Sequence, residues 1–153
     1  MGRRQVQILL GVLWLFDGAL QLQPFMYRNE FATSVLSPNS AGQPAPVAGF
    51  INWAASIFAH HVLMANSTFA IVEVLIGFGL LARTTVRGAL IASWMWGLGV
   101  WWVGEGFGML LTGHASPLTG APGAVLLYVL IGVLVWPSGT PDHESPADGS
   151  RLT

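Results

Sequence analysis

The chain has 153 residues, of which 53% are hydrophobic and only 8% charged, with a formal net charge of −1. A soluble domain carries about 25% charged residues, so this composition is too poor in charge for an ordinary wetted surface and points to a bilayer protein. The chain holds no cysteine, which excludes disulfides, thiolate metal sites and acylated cysteine anchors, and the lack of a basic patch excludes a nucleic-acid partner.

Met1-Gly2-Arg3-Arg4 precedes an apolar run over about 6–23, which Asp17 interrupts and Pro24 ends. No A-x-A site follows, so the run reads as a retained membrane helix rather than a cleaved signal. Residues 25–46 hold Pro38, Pro44, Pro46, Asn39, Ser40 and Gly42, a loop composition long enough to pack over a bundle. The next stretch, about 47–65, is two-faced at helical spacing. Asn52, Ser56 and His60 fall on one line, while Phe50, Ile51, Ala54, Ile57, Phe58 and His61 fall on the other. It is expected to lie at the membrane surface, with His61 turned toward the bundle.

Asn66-Ser67-Thr68 offers cap oxygens for a span of about 68–83. A basic turn carrying Arg83 and Arg87 joins it to a span of about 86–105. A glycine-rich outer loop then leads to Pro122, which suits the first position of a last span over about 122–136. Residues 138–153 lack apolar periodicity and read as a disordered cytoplasmic tail. The fold class expected is an all-α membrane protein, a four-transmembrane-helix bundle with an outer interfacial amphipathic helix. Arg3, Arg4, Arg83, Arg87 and Arg151 then lie inside and only Arg28 outside, which places both termini in the cytoplasm of a multi-pass protein.

Three acids fall where hydrocarbon is expected. At about 1.5 Å of rise per residue, Glu73 lies roughly 15 Å from the nearest cytoplasmic arginine, Asp17 about 20 Å and Glu105 about 27 Å. In a core about 30 Å thick, Glu73 is near the midplane and Glu105 at the outer boundary. An unpaired carboxylate at depth costs on the order of 2.5–3.5 kcal/mol, so each acid should face the bundle, be protonated or have a partner. Two readings stand side by side: structural acids that fix helix register, or a proton-handling pair of Glu73 and Asp17 beside a small-molecule site. Trp14, Gln21, Trp101 and Glu105 are the candidates to line such a site. Trp101, Trp102 and Trp136 also suit an interfacial belt, and Trp94 and Trp96 the core. His60-His61 is a poor metal pair, because adjacent helical side chains point about 100° apart, and no metal site is expected.

The run Phe69-Ala-Ile-Val-Glu73-Val-Leu-Ile-Gly77-Phe-Gly79-Leu-Leu-Ala-Arg83 resembles the second span of the DoxX/DoxD-like family of small four-helix membrane proteins. Leu10-Gly11-Val-Leu-Trp14-Leu-Phe-Asp17-Gly18 is similar to the opening of its first helix. Together these cover about half the chain, and Asp17 and the tryptophan cluster have no counterpart in the family pattern. The resemblance implies a subunit linked to quinone or redox chemistry, partnered by the lipid bilayer and by other membrane or redox subunits, with Glu73 the one site residue it suggests. The reading set against it is a non-enzymatic membrane scaffold.

Overall fold

The computed structural model describes residues 2–137. Its helices are α1 (Arg3–Leu20), a single turn α2 (Asn29–Phe31), α3 (Ala45–His60), α4 (Val62–Leu81), α5 (Val86–Val103) and α6 (Ala124–Leu134). The described residues contain no strand. Four of these helices form a ring of antiparallel neighbours, with α1 packed on α4 and α6, and α5 packed on the same two. The ring closes on a core of Leu10, Trp14, Ile76, Leu80, Val86, Ala89, Leu90 and Val135.

Glycine sets the α1–α4 approach. A Cβ added at Gly77 would sit 2.7 Å from the Leu15 Cγ and 2.9 Å from the Gly11 carbonyl oxygen. Small residues at a helix crossing let backbones come this close where packing, rather than water exclusion, drives association. Facing away from the ring, large apolar side chains stand open, among them Leu75 at 64%, Met95 at 73% and Leu134 at 76% exposure. By length and composition, α4 is the one described helix long and apolar enough to cross a membrane.

Several boundaries differ from the expectations. The amphipathic stretch ends at His60, and α4 begins at Val62, with only His61 (φ −131°) between them. Asn66-Ser67-Thr68 therefore lies inside α4 and caps nothing. The Thr68 hydroxyl bonds back to the Met64 carbonyl at 2.8 Å, the usual resort of a hydroxyl within a helix, and the Asn66 amide is taken up by another helix. His61 is exposed and does not turn to the bundle, because the buried face of α3 is Ile51, Ala55 and Phe58. Residues 24–40 are not irregular loop but a series of short helical turns, and Phe31, Ala32 and Leu36 bury against Ala55 and Phe58.

The first span is shifted to Arg3–Leu20, and α5 stops at Val103. Pro122 is not the first residue of the last helix: Gly123, at φ +110°, turns the chain and α6 starts at Ala124. With 11 residues, α6 is about 16 Å long, short of the span expected from 122–136. The tail over 138–153, with Arg151, lies outside the described residues.

Candidate functional site

The α1–α4 seam carries polar groups at both ends. At the end beside the hairpin turn, Gln7 donates from Nε2 to the Leu80 carbonyl at 2.7 Å. Arg4 donates to the same oxygen at 3.3 Å and also to the Leu81 carbonyl. These are carbonyls of the last turn of α4, which have no partner within their own helix, so α1 supplies the missing donors.

At the other end the balance is reversed. The Asn66 Nδ2 donates to the Gln21 carbonyl at 2.6 Å, and Asn66 is fully buried. Its Oδ1, the Gln21 Oε1 and the Glu73 Oε2 are all buried, and no donor meets any of them at hydrogen-bond geometry. Gln21 approaches the Glu73 carboxyl, and Asp17 interacts with Glu73 through space. The Tyr128 hydroxyl of α6 interacts with Asp17 and lies within electrostatic reach of Glu73 and Glu105. The end of the seam is thus rich in acceptors and short of donors.

Glu73 is 4% exposed, and the Trp96 indole donates to its Oε1 at 3.4 Å. The other side of Trp96 forms a wall of a cavity of about 340 Å³ between α3, α4 and α5. Phe50, Phe58, Phe69, Trp102 and Leu36 are among the other residues that line it. The rings are held against one another: Phe69 meets Trp96 edge-on at 5.0 Å, and Phe50 stacks on Trp102 at 4.4 Å. Such a volume, apolar lining and single adjoining polar group match the general form of a small-molecule site.

Glu105 performs a different task. It follows the end of α5, and its Oε1 accepts the Val125 backbone N–H at 3.2 Å, so it caps the start of α6 from a distant part of the chain. Beside it the chain runs left-handed through Gly106, Phe107 (φ 56°), Gly108 and Met109 (φ 60°). A non-glycine residue in that conformation costs roughly 1–2 kcal/mol. The turn is held by Gln43 donating to the Gly106 carbonyl at 2.7 Å, Asn39 donating to the Gly104 carbonyl at 2.6 Å, and Phe107 packed on Trp101 and Trp102. A second, more polar recess of about 260 Å³ opens here, lined by Asn39, Glu105, Met109 and Ala124.

The structure brings Glu73, Asp17 and Gln21 together and sets the other sequence candidates elsewhere. Trp14 is in the core, 1% exposed, donating to the Ser93 hydroxyl at 2.8 Å. Trp101 donates to the Pro122 carbonyl at 2.6 Å and does not line the aromatic cavity. Trp96, which the sequence reading assigns to the core, lines the cavity, and the phenylalanines of α3 and α4 beside it are residues that sequence reasoning missed as site residues. Their signal was aromatic spacing on segments whose packing partners only the tertiary fold reveals. No family model matches the chain, and neither a curated protein nor a solved structure is found similar to it.

Proposed function

We propose that the protein is a multi-pass membrane subunit that binds a quinone-type ring in the aromatic cavity, with Glu73 and Asp17 as its proton-handling pair. The observation carrying this reading is Trp96, which forms the cavity wall and donates its N–H to Glu73. A flat apolar ring suits the facing aromatic side chains. A quinone supplies two-electron chemistry in which each carbonyl oxygen takes a proton, the electrons coming from a partner redox subunit. Glu73 accepts a bond from Trp96 and interacts with Asp17, which supports reading this pair as the groups that give or take those protons. The DoxX-like run contributes Glu73 to the same reading.

Four spans are favoured by the open apolar faces on the ring helices. The α5 helix holds Trp94, Trp96, Trp101 and Trp102, amphipathic rings suited to the interface as well as to packing. Arg4 bonds the end of α4 that leads into Arg83 and Arg87, so the basic residues gather at one end of the ring. In this reading that end faces the cytoplasm. A reporter fused after Arg87 is expected to read cytoplasmic, and a reporter after Gly113 the opposite side. The reverse pattern would overturn the topology.

Ligand binding is tested on purified protein by extracting and quantifying bound quinone and by titrating with a short-chain benzoquinone while following tryptophan fluorescence. Saturable quenching is expected in the wild type, weakened in Glu73→Gln and Asp17→Asn. Absence of bound quinone together with unsaturable quenching would refute the ligand assignment. Glu105 gives the scaffold reading its one specific support, because its carboxylate is used to cap a helix.

A further inference from the structure

We infer that the ligand of the aromatic cavity carries a hydrocarbon tail, which leaves the cavity sideways over Gly99 and enters the lipid. This rests on the quinone reading above and narrows its substrate class to a ring bearing an alkyl or isoprenoid chain, with Gly99 as the residue that selects it.

Helix α5 gives the cavity two neighbouring stripes. Trp96, Val100 and Val103 recur at helical spacing and are partly buried. Met95, Gly99 and Trp102 recur in the same way one position earlier, and all three are exposed. The facing wall is shut, because Leu36 and Phe58 are each 4% exposed and belong to the buried cluster with Phe31, Ala32 and Ala55. At the Trp102 end the rings stack across the cavity, Phe50 on Trp102 at 4.4 Å and Trp102 on Phe107 at 5.7 Å. The cavity is left open along the Met95–Gly99 edge of α5.

Gly99 is the gap in that edge. Gly97 and Gly132 serve close packing: a Cβ at Gly97 would sit 3.1 Å from the Val125 and Val129 side chains, and one at Gly132 would sit 2.4 Å from the Trp94 indole nitrogen. A Cβ at Gly99 meets nothing within 4 Å. Glycine weakens a helix interior relative to alanine, and here no neighbour requires it. Its missing side chain leaves a passage between Met95 and Trp102 from the cavity to the outside of the ring.

Depth and lining chemistry say what fills the passage. With α5 spanning from the basic turn, Gly99 lies about 20 Å along the helix from Val86, inside a hydrocarbon core about 30 Å thick. The passage then faces acyl chains. Apart from the Trp96 and Trp102 indole nitrogens and the Met95 sulfur, no side chain lining the cavity carries a heteroatom, and the Trp96 N–H is already donated to Glu73. A hydrocarbon chain needs no polar partner there, and the flexible Met95 thioether can pack along it.

The test compares two benzoquinones in lipid nanodiscs, one with a decyl chain and one with a methyl group in its place. Affinities are read by tryptophan quenching and expressed per lipid, so that partitioning cancels. A side chain at position 99 leans toward Met95, across the passage. Gly99→Phe should therefore weaken the decyl compound at least tenfold and the methyl compound no more than twofold, with helical content unchanged. Gly88→Phe, equally exposed and open on the same helix but away from this cavity, should change neither. Equal weakening of both compounds by Gly99→Phe, or wild-type binding of the decyl compound, would overturn the tail path while leaving the quinone reading in place. Wild-type protein that binds neither compound would overturn that reading, and the tail with it. A nitroxide on Gly99→Cys, in a chain with no other cysteine, reads the opening without any quinone. Its relaxation by oxygen should exceed that by a water-soluble nickel chelate, and the reverse order would overturn the opening to lipid.

Discussion

The two ends of the α1–α4 seam both carry polar side chains and reach opposite electrostatic outcomes. At the hairpin end, Arg4 and Gln7 give their protons to Leu80 and Leu81 carbonyls that the end of α4 leaves without partners. Seven residues of α4 earlier, at Glu73, and again at Asn66, buried oxygens outnumber the protons offered to them. Polar groups that exist to hold helices together are expected to be satisfied, since an unmade buried bond costs about 1–3 kcal/mol. The first end meets that standard and the second does not. On the function proposed above, their difference separates polarity kept for packing from polarity kept for chemistry.

The strongest way to break the comparison is to wedge both ends apart at once. Gly77 lies between them, and Gly77→Val would drive new methyl groups into Leu15 and the Gly11 carbonyl. Overpacking of this kind costs roughly 1–3 kcal/mol, and the variant should unfold at lower temperature in detergent and lose ligand binding with it. A variant of wild-type stability would show that the close α1–α4 approach is not needed.

Trp96→Ala is the next largest. It removes part of the cavity wall and the indole donor to Glu73, so benzoquinone affinity should fall at least tenfold, equivalent to about 1.4 kcal/mol. Trp101→Phe is the matched control: it loses only the bond to the Pro122 carbonyl and should leave affinity within about twofold. Equal losses in the two variants would remove the distinction between site and rim. Smallest is Gln7→Leu at the satisfied end. It keeps volume but deletes a buried bond, with an expected cost of about 1 kcal/mol in thermal or denaturant unfolding and no change in quinone affinity or Glu73 protonation.

Much of this was legible in the residues, and the exceptions have identifiable causes. Low charge, apolar runs and the turn at Arg83 and Arg87 indicated helices near their true positions, because period and punctuation are local properties. Glu73 stood out as a costly acid that should face the bundle, be protonated or have a partner, and the structure buries it together with Ala70 and Gly77. Boundaries failed where tertiary partners overruled local chemistry. Asn66 looked like a cap and became a buried donor to Gln21, while Glu105 looked like a stray boundary charge and became the cap of α6. The turns over 24–40 hid behind proline and polar content, because their order comes from burial of Phe31 and Leu36 on α3. The link between Trp96 and Glu73 crosses 23 positions and two helices, and nothing in local spacing announces it.

The central claim is that Glu73 is retained for chemistry and not for packing, and Glu73→Gln tests it most directly when stability and binding are measured on the same preparation. Glutamine keeps the shape, can still accept from Trp96 and brings two N–H donors to a place short of them. The variant is expected to be at least as stable as the wild type, gaining about 1 kcal/mol in reversible unfolding, while benzoquinone affinity drops tenfold or more. A Glu73→Gln protein that loses stability yet binds quinone as the wild type does would contradict the account.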